Sequence, residues 1–144
     1  MSTPWLDRYI EAWLHHPQAG GEGGEEALTR LLAFMSEDIR YEDVPTAAVF
    51  FGHDGIRQMS AGALLMAADM SFEIGQRVAG NSSYAFETVC RGTNTGAIGP
   101  LPGKGSPFAF RGVSIGDVSE AGRVASQRDY WDLAGLLGQL GVSI

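Results

Sequence analysis

The stretch ASQRDYWD, residues 125–132, places an acid among large aromatic side chains near the end of the chain. Successive side chains of a strand point to opposite faces, so Asp129 shares a face with Gln127 and Trp131, not with its neighbour Arg128. A carboxylate that is poorly solvated has a raised pKa and can remove a proton from carbon next to a carbonyl. Asp129 is therefore a candidate for acid/base chemistry. The alternative is a surface residue or one half of an ion pair.

The composition limits the classes of protein to which the chain can belong. A length of 144 residues favours one domain, and 44% hydrophobic with 19% charged residues is typical of a soluble globular protein. No apolar run approaches the ~18 residues of a membrane helix. The net charge of −7 and the lack of a basic stripe with interleaved aromatics argue against nucleic acid as a partner.

Cysteine and histidine are too few to suggest a disulfide framework or a metal centre. The one cysteine, Cys90, excludes an internal disulfide, and the three histidines have no familiar metal-ligand spacing. We therefore expect neither a metal nor another cofactor. The first residues lack the basic head and unbroken apolar core of a signal peptide, so a cytoplasmic protein is expected.

Three amphipathic helices are predicted in the first half of the chain. Their apolar faces are Trp5, Leu6, Tyr9, Ile10, Trp13 and Leu14 in the first, Leu28, Leu31, Leu32 and Met35 in the second, and Ile56, Met59, Ala63 and Met66 in the third. A glycine-rich connection follows the first helix, and His15 and His16 at its end are expected to contact its last carbonyls. A short strand, IRYEDVP, precedes the turn that leads into the third helix.

The second half of the chain shows strand patterns. Period-two or continuous apolar stretches from Met70 onward predict four consecutive strands, which suggests an antiparallel meander. A short last helix follows, with Asp132 as its cap. Helices first and a sheet afterwards indicate an α+β fold. We expect a single domain, residues 1–144, in which a curved antiparallel sheet forms a cone-shaped half-barrel with three N-terminal helices, a short C-terminal helix and one apolar cavity.

The order of elements and three stretches of the second half resemble a known family. GTNTG (residues 92–96), LPGKGSPFAFRGVSI and GRVASQRDYWDLAGLLGQLG are similar to the SnoaL-like polyketide cyclases, members of the nuclear-transport-factor-two-like superfamily of cone-shaped α+β proteins. The resemblance extends from about Tyr41 onward and is strongest in the last third. It specifies the fold better than the function, because this fold hosts cyclases, isomerases, epoxide hydrolases and binding modules.

In the cyclases an aspartate near the end of the last strand is the acid/base for an aldol condensation. The resemblance gives that role to Asp129, with Trp131 beside it. The cavity wall would include Phe110 and Met66. Gln127, Asn94 or Tyr41 would then donate a hydrogen bond to the developing enolate.

Limonene-epoxide hydrolases provide the second resemblance, through a similar last strand whose first aspartate activates water. Asp129 matches that aspartate, and Tyr41 matches a first-strand tyrosine whose asparagine partner is replaced here by Asp43. The arginine of a middle strand is matched by Arg91, but its carboxylate partner is replaced by Thr93. A hydrolase would thus need Asp43 as its second acid. Arg91 has an alternative structural role as an ion-pair partner of Glu87.

Three functions follow from these residues. The first is cofactor-independent cyclisation or isomerisation of a hydrophobic carbonyl compound through Asp129. The second is epoxide hydrolysis, and the third is a non-catalytic module that binds a hydrophobic small molecule. Side chains of the stretches SFEIG and FAFRG together with Tyr130 predict an apolar patch on the convex sheet face, and the family resemblance implies that this face pairs two copies into a homodimer.

Overall fold

The computed structural model describes residues 3–143. Each predicted helix and strand occurs in the predicted order. The helices are α1 (Thr3–Trp13), α2 (His16–Ala19), α3 (Glu25–Ala33), α4 (Gly52–Met66) and α5 (Leu133–Gln139). The strands are β1 (Met35–Asp43), β2 (Ala48–Phe51), β3 (Ser71–Ala79), β4 (Ser83–Asn94), β5 (Ala97–Ile98), β6 (Leu101–Pro102), β7 (Ser106–Val118) and β8 (Val124–Trp131). The α+β prediction is confirmed.

The three predicted helices are α1, α3 and α4. The face of α1 that carries Leu6, Tyr9, Ile10 and Trp13 is buried, as its spacing predicts. Burial of each such side chain stabilises the fold by roughly 1.5–3 kcal/mol. The assignment of Met35 to the second helix was wrong, because this buried residue begins β1. A single apolar residue after a helix fits the last helical turn and the first inward position of a strand equally well.

Four short elements were not predicted, namely α2, β2 and the two-residue strands β5 and β6, which form a separate two-stranded sheet. Four residues of the connection after α1 form α2, and β2 pairs with β1 as an antiparallel hairpin where a turn was expected. Asp132 caps α5 as predicted, since its Oδ1 accepts a hydrogen bond from the backbone N–H of Gly135 at 2.8 Å.

The six-stranded sheet has the order β2-β1-β8-β7-β4-β3. Strands β3, β4, β7 and β8 form the predicted antiparallel meander. The prediction of an entirely antiparallel sheet was wrong in one pair, because β1 runs parallel to β8 and makes the sheet mixed. Nothing in the spacing along the chain reveals this pairing of the first strand with the last. The sheet is curved and does not close into a barrel.

The concave face of the sheet holds most of the apolar core. One buried cluster lies beneath α1 and α3, and a second joins the end of α4 to β4, β7 and α5. Phe72 packs on the concave side, which corrects the expectation that SFEIG contributes to the convex face, and Phe110 packs there in keeping with its predicted place in the cavity wall. The exposed apolar residues of the meander's convex face are Val78, Val113 and Tyr130. Within residues 3–143, no helix has the length and apolar character that crossing a membrane requires.

Candidate active site

A cavity of about 460 Å³ lies between the concave face of the sheet and the helices. This volume falls within the ~300–1,000 Å³ that is usual for small-molecule sites. Its sheet wall includes Tyr41, Phe72, Thr88, Phe110, Ser114, Asp129 and Trp131. Its helical wall includes Trp13, His16, Met59, Ala63 and Met66, and its rim includes Ile98, Pro100 and Leu101. The lining is predominantly apolar.

Asp129 is the most strongly hydrogen-bonded acid of this cavity. Its Oδ1 accepts from the Ser114 hydroxyl at 2.7 Å and from Gln127 Nε2 at 2.8 Å, and its Oδ2 accepts from the Tyr41 hydroxyl. A carboxylate has about four acceptor positions, so one position on Oδ2 remains for a ligand. No arginine or lysine of residues 3–143 contributes to the cavity lining.

The Tyr41 hydroxyl can donate only to Asp129, because its other two partners are themselves donors. Trp13 Nε1 donates to the Tyr41 oxygen at 2.7 Å, and Gln127 Nε2 donates to it at 3.1 Å. An indole N–H and an amide NH₂ cannot accept. The direction of the Tyr41 hydrogen bond is therefore set by its surroundings.

The fully buried Gln127 is fixed in the same way. Its Oε1 accepts from the hydroxyls of Tyr9 and Tyr84, each at 2.5 Å. Both acceptor positions of Oε1 are thus used, and the NH₂ group must face Asp129 and Tyr41. Gly116 leaves room for the Tyr84 hydroxyl in this arrangement, because a Cβ at position 116 would lie 2.1 Å from the Tyr84 hydroxyl oxygen.

Burial and hydrogen bonding act in opposite directions on the pKa of Asp129. Burial is the larger effect and raises the pKa from 3.8 to about 6, while the hydrogen bonds from Tyr41, Gln127 and Ser114 lower it. The nearby charge of Asp43 adds a further increase. Asp129 is therefore largely ionised at neutral pH, yet it takes up a proton far more readily than an exposed aspartate.

Asp43 lines the same cavity beside Asp129. The two residues are register partners on the parallel strands β1 and β8, which places their side chains on the same face. Asp43 Oδ1 accepts from Trp131 Nε1 at 2.5 Å, and its Oδ2 accepts from the Thr46 hydroxyl. The two acids thus face one cavity without a bridging arginine.

Of the other predicted site residues, Trp131, Phe110 and Met66 line the cavity. Gln127 lies behind the cavity wall and reaches a ligand only through Asp129 and Tyr41. Asn94 is placed elsewhere: its Oδ1 accepts from Gly103 N at 2.7 Å, which ties it to the loop after β6.

Arg91 also lies away from the cavity. It is exposed on the convex side, where its guanidinium is 3.7 Å from the Glu73 carboxylate on the neighbouring strand β3. The predicted partner Glu87 was wrong, and Glu87 instead accepts from the backbone N–H of Gln76. Arg91 is an outward-facing residue of its strand, so it is separated from the cavity by the sheet.

Sequence analysis missed the remaining members of the hydrogen-bond network. Ser114 is the register partner of Asp129 on β7, and strand alternation would have identified it had the pairing been known. Tyr9 and Trp13 were assigned to an apolar helix face and Tyr84 was given no role, because a periodic pattern does not show where a phenol or indole polar atom points.

His16 and Cys90 complete the titratable groups of the interior. His16 Nδ1 contacts the carbonyl oxygen of Trp13 at 2.8 Å, which confirms the expected contact with the end of the first helix. Burial raises the pKa of the Cys90 thiol to about 12, so the thiol stays protonated and is a poor nucleophile. The described part of the chain contains no group of three or more His, Cys, Asp or Glu that could hold a metal ion.

Comparison with solved structures supports the fold. TsrD from Streptomyces laurentii has 21% identity and a TM-score of 0.83, with 99% of each chain covered. A putative SnoaL-like polyketide cyclase from Jannaschia sp. CCS1 has 12% identity and a TM-score of 0.76, with 100% of this chain and 99% of that chain covered. SalBIII, an epoxide hydrolase/cyclase-like enzyme with a role in pyran ring formation in the polyether salinomycin, has 17% identity and a TM-score of 0.64, with 90% and 95% covered.

Comparison by sequence identifies the family. No curated protein matches the chain. The family described as SnoaL-like polyketide cyclase matches residues 7–140, which is nearly the whole chain and includes Asp129 with all its hydrogen-bond partners. The chain belongs to the SnoaL-like polyketide cyclase family.

Proposed function

We propose that the protein is a cofactor-independent acid/base enzyme that cyclises or isomerises a hydrophobic carbonyl compound through Asp129. The observation that carries the proposal is one carboxylate with a pKa of about 6, open to an apolar cavity that no lysine or arginine of the described chain enters. A base with a pKa near the working pH is the effective kind for removing a proton from carbon.

Asp129 can carry the proton through the whole reaction, because it removes the proton in the first step and returns it in the last. The ionised carboxylate takes a proton from carbon next to the substrate carbonyl, and the C–H electron pair forms an enolate. In an aldol-type closure the enolate carbon attacks a second carbonyl carbon, and the resulting alkoxide takes the proton back from Asp129. In an isomerisation, Asp129 returns the proton to a different carbon. The cavity favours ring closure by holding the two carbons together.

Thr88 is the donor that we assign to the enolate oxygen. Thr88 lines the cavity, and its side chain makes no hydrogen bond within residues 3–143. Thr88 pairs with Gly112, whose partner on β8 is Trp131, so it lies on the same concave face as Asp129. The sequence-based candidates are less suitable, because Gln127 is fully engaged and Asn94 faces a loop.

Hydrogen–deuterium exchange at carbon tests the proton transfer without knowledge of the natural substrate. A panel of polyketide-like aromatic ketones in D₂O is followed by NMR for exchange next to the carbonyl. Asp129→Asn should lower the exchange rate by about 10²–10⁴-fold, the usual contribution of a positioned base. Asp117→Asn, the same change on the convex face of β7, is the matched control and should leave the rate unchanged. Retained exchange in Asp129→Asn refutes the role.

Epoxide hydrolysis is the second candidate, because Asp43 and Asp129 are register partners that face one cavity. Epoxide opening needs one carboxylate to deprotonate water and one carboxylic acid to protonate the epoxide oxygen. A panel of hydrophobic epoxides in ¹⁸O-water separates the two functions. A hydrolase should form labelled diols and should lose this activity in Asp43→Asn, whereas a cyclase should retain ketone exchange in that variant.

A further inference from the structure

His16 presents an unused polar atom to the cavity, on the wall that Trp13 shares. The imidazole is 6% exposed, and its ring centre is 4.9 Å from that of Trp13 and 5.3 Å from that of Phe72. His16 lines the cavity and is the first residue of the short helix α2. The aromatic neighbours fix the plane of the ring.

The tautomer of His16 follows from its one hydrogen bond. Nδ1 lies 2.8 Å from the Trp13 carbonyl oxygen, which can only accept, so Nδ1 carries the proton. Nε2 is then a bare acceptor, and it has no hydrogen-bond partner among residues 3–143. Burial lowers the pKa of His16 to about 4, so the ring is neutral at pH 7.

A structural role for His16 requires only Nδ1. Phenylalanine or leucine would fill the same aromatic pocket without an acceptor, so packing alone does not require the Nε2 atom. The arrangement is favourable when a ligand supplies a hydrogen-bond donor to Nε2. Because Nε2 carries no proton it can only accept, so a neutral donor such as a ligand hydroxyl complements it and an ionised carboxylate does not.

We propose that His16 Nε2 accepts a hydrogen bond from a hydroxyl group of the substrate and so determines which end of the substrate lies beside Trp13. This inference rests on the proposed carbonyl chemistry for the identity of the rest of the substrate.

The positions of His16 and Asp129 fit two different ends of one ligand. Trp13 stands between them: its indole N–H bonds to the Tyr41 hydroxyl, which bonds to Asp129, and its ring contacts the His16 ring. A substrate held by its hydroxyl at His16 would therefore reach Asp129 along the wall formed by Trp13. His16 fixes the orientation of the substrate, and Asp129 selects the carbon that reacts.

Ligand binding tests this inference with 2-naphthol and 2-methylnaphthalene, which differ by a hydroxyl in place of a methyl group. Affinities are measured by titration in the Asp129→Asn protein, where Asp129 cannot contribute a carboxylate. His16→Asn keeps an amide donor for the Trp13 carbonyl but removes the acceptor at Nε2. His16→Gln is the matched control, because its longer side chain restores an acceptor near the Nε2 position.

The preference for 2-naphthol over 2-methylnaphthalene should fall about five- to tenfold in His16→Asn, the range expected for one neutral hydrogen bond. It should be largely retained in His16→Gln. An unchanged preference in His16→Asn, or failure of 2-naphthol to bind at millimolar concentration, overturns the proposal.

Nitrogen-15 NMR of the histidine rings tests the same contact without a substitution at His16. The Nε2 signal of His16, assigned with the aid of His15→Gln and His53→Gln, should move toward the protonated range with 2-naphthol and not with 2-methylnaphthalene. An unmoved signal with bound 2-naphthol refutes the contact. Neither ligand undergoes the proposed reaction, so a failure of Asp129 in the exchange assay would leave this result intact.

Discussion

At the scale of single residues, the charge of Asp129 depends on the balance between burial and the donors aimed at it. Burial alone would favour the neutral acid, and the hydrogen bonds from Tyr41, Gln127 and Ser114 favour the carboxylate. Because Tyr41 is held by Trp13 and Gln127 by two other tyrosines, removal of the Tyr41 hydroxyl should raise the pKa of Asp129.

Tyr41→Phe removes one donor to the Asp129 carboxylate and should raise the pKa of that group above its value of about 6. A hydrogen bond to a charged group is worth about 1.5–3 kcal/mol, which corresponds to an upward movement of about one to two pH units. The measurement is the pH profile of ketone exchange, whose rising limb reports ionisation of the base. Tyr130→Phe on the convex face is the control, and an unmoved profile in Tyr41→Phe would contradict the hydrogen-bond account.

The raised pKa of Asp129 also makes the stability of the protein depend on pH. The folded-state pKa of about 6 lies above the unfolded value near 3.9, so the folded protein binds more protons between these values. Stability associated with this group is therefore fully present below pH ~3.9 and is lost as the pH rises through about 6.

Urea unfolding at pH 4 and at pH 8 measures this dependence. Relative to Asp129→Asn, which does not titrate, the wild-type protein should lose roughly 2 kcal/mol of unfolding free energy between the two pH values. If the difference in unfolding free energy between wild type and Asp129→Asn is the same at both pH values, or favours the wild type more at pH 8, the pKa of Asp129 is not raised in the folded protein.

At the scale of elements, strand alternation in ASQRDYWD was sufficient to group Gln127, Asp129 and Trp131 on one face, and the family resemblance assigned that face to the cavity side, where the structure has it. The parallel pairing of β1 with β8 was not predictable from spacing, yet it is this pairing that brings Asp43 beside Asp129. Residues of one strand could thus be grouped from the sequence. Partners from different strands, such as Ser114, depend on registers that only tertiary packing decides.

The hairpin β5–β6 forms part of the cavity rim, and Asn94 holds the loop that follows it. Asn94 also donates to the Gly96 carbonyl at 3.2 Å, so its side chain connects both ends of the hairpin. Asn94→Ala should speed amide exchange in residues 97–104 and weaken ligand binding by several-fold, while the pH profile of the reaction stays in place. Amide exchange followed by mass spectrometry measures the first effect, and an unchanged rate in this segment would show that the hairpin is held by other contacts.

At the scale of the whole molecule, we propose that two copies associate through the convex face of the meander. Val78, Val113 and Tyr130 are exposed there. The same face carries a positive and a negative charge, since the Arg128 guanidinium lies 3.7 Å from the Asp117 carboxylate. Such a face can be self-complementary about a two-fold axis.

Light scattering after size-exclusion chromatography at micromolar concentration should give the mass of a dimer. Tyr130→Asp should shift the protein toward monomer, because it places a charge in the apolar centre of the face. Thr29→Asp, an exposed position on α3, should leave the mass unchanged. A monomeric wild-type protein would refute the proposal.

Gly116 has a consequence for how the chemistry of this protein can change. Its missing side chain leaves room for the Tyr84 hydroxyl, and the tyrosine in turn orients the amide that donates to Asp129. A single methyl group at this position would displace the hydroxyl and release the amide, although it would touch neither a ligand nor the acid. A substitution at position 116 can therefore change the proton affinity of the reactive carboxylate while the cavity walls, which select the ligand, stay the same.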